Sequence, residues 1–358
     1  MPTIRTSAVR WKWLQKNVGR FVWSSETITS VIYRARMTFT RNTHLSKIVI
    51  AAVLAIAFTA AGFRFLGRSE ATTPRVEIVK VVGPLRVAVL GASASAGFGC
   101  VLREDKADGE YTAGFKLIDM VRYACPDLEM LTSDLSSPFF FMGPIESGKT
   151  SVKRAIAFNP DCVVALDFLF WFCYGDDSPT GGRLKSEDER LAKFELGLAQ
   201  LEQFTVPVII GTIPDMRRAV GKMLSKAQMP EAATLTKVNE RMSAWAKEHP
   251  SVTIVALADM QRQLMDDGSL DIGGERLVST AAAPLLQRDQ LHPSAQGLAG
   301  IGCAVATAIK QAMGDACANA ASCTPSAEAT MGRAREKLEL VFVPKPASTE
   351  EAPAPTPP

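Results

Sequence analysis

Five short apolar runs, separated by longer stretches of helical periodicity between residues 85 and 312, narrow the folds open to this chain more than any other feature. The runs cover 85–90, 128–131, 162–166, 206–211 and 252–255. They are too short for helices and mostly apolar, interrupted only by residues such as Arg86, Glu129 and Thr253, as strands are when both faces are covered. Helical spacing is found over 113–123, 150–158, 186–204 and 232–248, and Pro293-Ser294 marks the start of a last helix over 294–313. Parallel strands need long crossovers, and helices supply them. The expected class is therefore α/β: a three-layer α/β/α sandwich on a five-stranded parallel, flavodoxin-like sheet.

Ahead of that domain, residues 48–67 read IVIAAVLAIAFTAAGFRFLG, with Arg64 as the single charge. About twenty residues cross ~30 Å of hydrocarbon, so one transmembrane helix fits here if Arg64 snorkels to the far interface. A cleaved signal peptide competes, since Thr59-Ala-Ala61 is small enough for processing, but a basic leader of 47 residues is long for that class. Residues 1–47 hold nine Lys and Arg against the single acid Glu26. By the positive-inside rule the N terminus is cytoplasmic and the domain lies beyond the inner membrane, in a periplasm if the cell is bacterial. In the leader, Trp11, Leu14, Val18, Phe21 and Val22 share one side of a helical wheel, opposite Lys12, Lys16 and Arg20. That suits a helix on an anionic leaflet; a solvated basic tail that only sets topology suits the same residues. Of the net charge of +3, the leader holds +8, which leaves the rest about −5 and argues against nucleic acid as a partner.

The expected organisation is a basic cytoplasmic segment (1–47), an anchor (48–67), a linker (68–84), the α/β domain (85–315) and a Cys-containing loop with a disordered Pro-rich tail (316–358). All seven cysteines follow the anchor; Cys162 reads as a buried strand residue, and Cys317 and Cys323 are best placed for a bridge. No Cys-x-x-Cys occurs and the histidines number three, so no zinc site is expected; no organic cofactor is expected either.

In open parallel sheets the site forms where loops leave the carboxyl ends of the strands. The first such loop is Gly91-Ala-Ser93-Ala-Ser-Ala-Gly97-Phe-Gly99. A serine in a tight glycine-flanked turn can expose its hydroxyl, with backbone N–H groups facing a developing oxyanion; small residues that make room for a helix would look the same. A nucleophilic serine needs a base, and beyond the anchor the histidines are His249 and His292. His249 reads as a polar turn residue without an acidic neighbour. His292 has Asp289 three residues earlier, able to accept from one ring nitrogen and leave the other free for the serine proton.

With these residues in place the chain resembles the GDSL, or SGNH, family of serine hydrolases over about residues 85–312. The resemblance implies Ser93 as nucleophile, His292 as general base and Asp289 as the group that orients it. It implies an oxyanion hole from the Ser93 N–H and, by the match Ser147-Gly148, from Gly148. Two positions depart from the pattern: Ala92 stands where the family has aspartate, and Asp167-Phe-Leu-Phe-Trp171-Phe-Cys-Tyr174 stands where a Gly-x-Asn-Asp block is expected. Asp167, Trp171 and Tyr174 fall where substrate contacts are expected, although core packing accounts for the aromatics equally. The expected activity is that of a membrane-anchored, exported esterase acting on an envelope ester such as an O-acylated glycan or a lipid. A catalytically inactive binding module on the same fold fits the departures.

A rival pattern crosses this reading. Residues 143–150, GPIESGKT, match the phosphate-binding G-x-x-x-x-G-K-[ST], and Asp167 would serve as the strand-borne aspartate of an NTPase. Against it stand the expected location outside the cytoplasm and a first strand and serine loop left without a role.

Overall fold

The computed structural model describes residues 83–106, 109–314, 324–336 and 343–344. The expected anchor, the basic leader, Arg64, the Cys317–Cys323 pair and the extreme C-terminal tail lie outside the described residues. Among the described residues no helix is long and apolar enough to cross a membrane.

The chain enters through β1 (Leu85–Val89) and makes a hairpin of β2 (Val101–Lys106) and β3 (Gly109–Gly114) before α1 (Leu117–Ala124) returns it to β4 (Met130–Asp134). Next come α2 (Pro144–Phe158), β5 (Cys162–Ala165), the single turn α3 (Phe170–Cys173), α4 (Glu187–Leu201), β6 (Val208–Gly211), α5 (Ala232–Glu248) and β7 (Val252–Val255). α6 (Leu257–Asp267), the hairpin β8 (Ser269–Ile272) and β9 (Glu275–Val278), α7 (Ala295–Met313), α8 (Ala327–Glu336) and β10 (Val343–Pro344) complete it. β4, β1, β5, β6 and β7 form one sheet in that order, all neighbours parallel. This is the flavodoxin-like order, whose switch point lies between β1 and β5.

Side chains alternate across a strand, so each strand feeds two cores. Leu85, Val87 and Val89 face one side with Cys162, Val164 and Ile209, and there α1, α6, α7 and α8 bury their apolar stripes. Ala88, Leu90, Val163, Ala165, Val208 and Ile210 face the other, covered by α2, α4 and α5. The sheet is thus sandwiched, which is why its central strands β5 and β6 read as continuous apolar runs while the edge strand β4, MLTSD, does not. Ser186 and Ser294 cap α4 and α7, each accepting from the N–H three residues on.

Several boundaries differ from the sequence expectation. The second sheet strand lies at 130–134 rather than 128–131, and α1 starts at Leu117 because 109–114 pair with 101–106. That hairpin is polar and lies outside the main sheet, so it carries no apolar run. β8 and β9 also escaped, although Gly273-Gly274 between them, with φ of +61° and +87°, form a two-glycine turn suited to a hairpin. The stretch after Cys323, expected to be disordered, contains α8, whose Ala327, Met331 and Ala334 are buried against the α1 and α7 side of the sheet. Arg333 ties it down by donating to the Tyr123 carbonyl at 2.6 Å.

Candidate active site

The chain leaves β1 through Leu90 and folds at once into a compact turn. Ala96 N–H donates to Ala92 O, Gly97 N–H to Ala94 O and Phe98 N–H to Ser93 O. Asp167, at the end of neighbouring β5, pins this turn. Its Oδ1 accepts from the Ala92 N–H (2.9 Å) and the Ser95 hydroxyl (2.6 Å), and its Oδ2 from the N–H groups of Ala94 (2.9 Å) and Ser95 (3.2 Å). The carboxylate comes so near the backbone that a Cβ on Gly91 would lie 2.1 Å from Oδ1. Only glycine fits there.

The second half of the site comes from the loop before α7. Leu286 bridges Pro293, Gln290 takes a left-handed φ of 62°, and Gln287 N–H donates to His292 O. The Gln287 side chain joins the two loops by donating to Phe98 O at 2.7 Å and Pro293 O at 2.8 Å. Phe98 lies against the His292 ring with centroids 4.7 Å apart. His292 is thereby buried, 3% exposed, with both ring nitrogens engaged.

Those engagements join Ser93, His292 and Asp289 in one row. His292 Nδ1 lies 2.7 Å from Asp289 Oδ2, and His292 Nε2 lies 2.8 Å from Ser93 Oγ across 199 residues of sequence. Burial pushes the Asp289 pKa up, but hydrogen bonds from the His292 ring and from the N–H groups of His292 and Leu291 outweigh it and hold the carboxyl below its ordinary value. An ionised Asp289 can only accept, so Nδ1 carries the proton and Nε2 accepts from the Ser93 hydroxyl. That is the protonation a general base requires. Cys100, close by, is no rival nucleophile: burial foremost, and then the Asp289 charge, push its thiol up to about 12, and it donates to Pro293 O at 3.2 Å.

The remaining candidates fall elsewhere. Gly148 lies within α2, inside the helical hydrogen-bond ladder that opens with Ser147 N–H on Gly143 O, and a Cβ there would meet Gln200 and Phe168. Its N–H is spent on the helix and faces no oxyanion, so that assignment is corrected. The phosphate-loop match fails for the same reason. Residues 144–150 are the opening turns of α2 and follow a 3₁₀ turn rather than a strand, so no open loop of N–H groups exists to cradle a phosphate. Lys149 is exposed and pairs with Glu146 at 2.6 Å.

Trp171 and Tyr174 are core residues rather than substrate contacts. Trp171 packs on Phe141 and Phe170, and Tyr174 stacks on Phe170 while its hydroxyl donates to Pro214 O at 2.7 Å. Arg190 and Lys193, both buried, hold this segment by donating to the carbonyls of Cys173, Tyr174 and Gly175. Asp167 lines the cavity beside Ser93, but its carboxylate is committed to the serine turn. His249 ends α5, with Nδ1 2.8 Å from the Trp245 carbonyl, as befits a turn residue.

For an oxyanion, the Ser93 N–H is open: among the described residues nothing accepts from it. The clamp by Asp167 was missed from sequence. The available signal was an aspartate closing an apolar strand next to the serine strand.

A flavodoxin-like sheet with a Ser–His–Asp row at its switch point supplies nucleophile, base and orienting group in one place. No protein-family model matches the sequence, and no curated protein does. Solved structures similar to the chain include an acetylxylan esterase from Geobacillus stearothermophilus, 16% identical over 66% of this chain and 96% of that one with a TM-score of 0.39. A GDSL-like lipase from Bacteroides thetaiotaomicron is 15% identical over 67% and 95%, with a TM-score of 0.36. A gut microbial diltiazem-metabolizing enzyme is 12% identical, with a TM-score of 0.40 over 67% of this chain. The chain spans about half the length of that last protein, 49%.

Proposed function

We propose that this chain is a serine esterase or acyl hydrolase of the SGNH kind. The observation that carries the reading is the unbroken hydrogen-bonded row from Ser93 Oγ through His292 to Asp289. Ser93 Oγ attacks the ester carbonyl carbon as its proton passes to His292 Nε2, and the Ser93 N–H faces the developing oxyanion. Collapse breaks the C–O bond, and the alcohol leaves with the proton from His292. Water, deprotonated by His292, then attacks the acyl-enzyme and releases the acid.

Residues 48–67 would anchor the enzyme in the inner membrane with its N terminus cytoplasmic, which sets the domain among envelope esters, O-acylated glycans or lipids. The support for this is the apolar span and the charge asymmetry of the sequence.

A fluorophosphonate probe should label the full chain, and Ser93→Ala should abolish labelling and lower ester turnover by about 10³-fold or more. Labelling that survives the substitution sinks the nucleophile assignment. The inactive-module reading draws on one observation, that Asp167 occupies the Ala94 N–H where an additional oxyanion donor could stand. A folded protein that neither takes the probe nor hydrolyses an ester would favour it.

A further inference from the structure

An apolar cavity of about 100 Å³ opens beside Ser93 and His292 and runs under the histidine loop. Its apolar wall includes Leu257, Met260 and Leu264 of α6, Leu270 of β8 and Ile301 of α7, and Thr212 and Gln261 are among its polar residues. Protein interiors are close-packed, and voids much larger than a water are few. A water needs two to four polar partners, and this lining has few to offer; Thr212, one of its polar residues, already accepts from the Ala258 N–H at 2.9 Å. An unfilled apolar space bordered by the nucleophile calls for an apolar part of the substrate.

We propose that this cavity holds a saturated acyl chain of about six to eight carbons, so that the enzyme prefers medium-chain esters to acetyl esters. A water requires roughly 10–15 Å³ of such space, so the cavity has room for about seven to ten of them. A methylene is close to a water in size, and an acetyl group would leave most of the space empty. The chain enters with its carbonyl at Ser93 and its tail towards Leu264 and Leu270, 9% and 4% exposed and part of the core on the α7 side of the sheet. The inference rests on the esterase reading for the orientation of the ester, and on the cavity alone for the affinity.

The test uses the full chain in detergent with p-nitrophenyl esters from acetate to hexadecanoate, together with calorimetric binding of octanoate, which needs no turnover. Each buried methylene should raise kcat/KM by up to about fourfold. The profile should peak near hexanoate and octanoate, at least a hundredfold above acetate, and fall beyond dodecanoate. Filling the cavity by Met260→Trp, or independently by Ile301→Phe, should lower the octanoate-to-acetate ratio at least tenfold and abolish octanoate binding. A flat or acetate-favouring profile, or a ratio that neither variant changes, overturns the proposal while leaving the esterase reading intact. Octanoate binding that the filling variants abolish, with no ester hydrolysed, upholds the cavity and overturns the esterase reading. Absence of both turnover and octanoate binding overturns both.

Discussion

Asp289 balances burial against hydrogen bonding, and its pKa is held below the ordinary carboxylate range because three donors converge on it. Its folded value lies below its unfolded value. The stability it contributes is therefore fully present above the unfolded pKa of about 3.9 and is lost as pH falls through the lower, folded one. Asp289→Asn should lower kcat by about 10²–10⁴-fold, because an amide can present its N–H to the imidazole and favour the wrong tautomer. In calorimetry the gap in Tm between wild type and Asp289→Asn should hold steady from about pH 7 to 5 and narrow below about pH 4. A gap that persists undiminished at pH 3 would contradict the ionised carboxylate.

The serine turn is an element supported from its neighbour, since Asp167 at the end of β5 collects three N–H groups and one hydroxyl from residues 92–95. Asp167→Asn keeps the shape but puts an amide donor where an acceptor stood. The Ser95 hydroxyl can reverse its role, whereas a backbone N–H cannot, so at least one buried donor is left unmet at a cost of about 1–3 kcal/mol. The expected result is a matching fall in unfolding free energy and a lower kcat with KM little altered, because the nucleophile's position is disturbed rather than the acyl cavity. An unchanged kcat with reduced stability would limit Asp167 to a structural role. Elements also explain what the sequence obscured. Residues 143–150 carry a phosphate-loop pattern, yet Pro144 suits a first helical position and the segment continues as helix from there. The aromatics at 171 and 174 could not be assigned from sequence, because whether α3 turns inward depends on Arg190 and Lys193 of α4 donating to the Cys173 and Tyr174 carbonyls at its end.

At the scale of the whole molecule, the central strands β1, β5 and β6 were legible because they are covered on both faces and so are apolar almost throughout, whereas the edge strand β4, MLTSD with Leu131 exposed, was read two residues early. The hairpins and α8 were not: the hairpins lie outside that sheet, and α8 needs only a narrow stripe of Ala327, Met331 and Ala334 to dock. The proposed topology is testable at this scale. A reporter fused after Pro358 should be active only if it is exported and silent if it is cytoplasmic; a cytoplasmic C terminus would overturn the envelope assignment. Sequence alone determined the α/β class and the identity of the Ser93, His292 and Asp289 set, because periodicity and the scarcity of histidines are properties of the chain itself. Tertiary structure decided that those three residues meet, that Asp167 pins the serine turn, that the Gly148 N–H is spent in α2 rather than on an oxyanion, and that a cavity opens beside Ser93. Distances between residues 199 positions apart follow from strand order and loop closure, which no local pattern encodes.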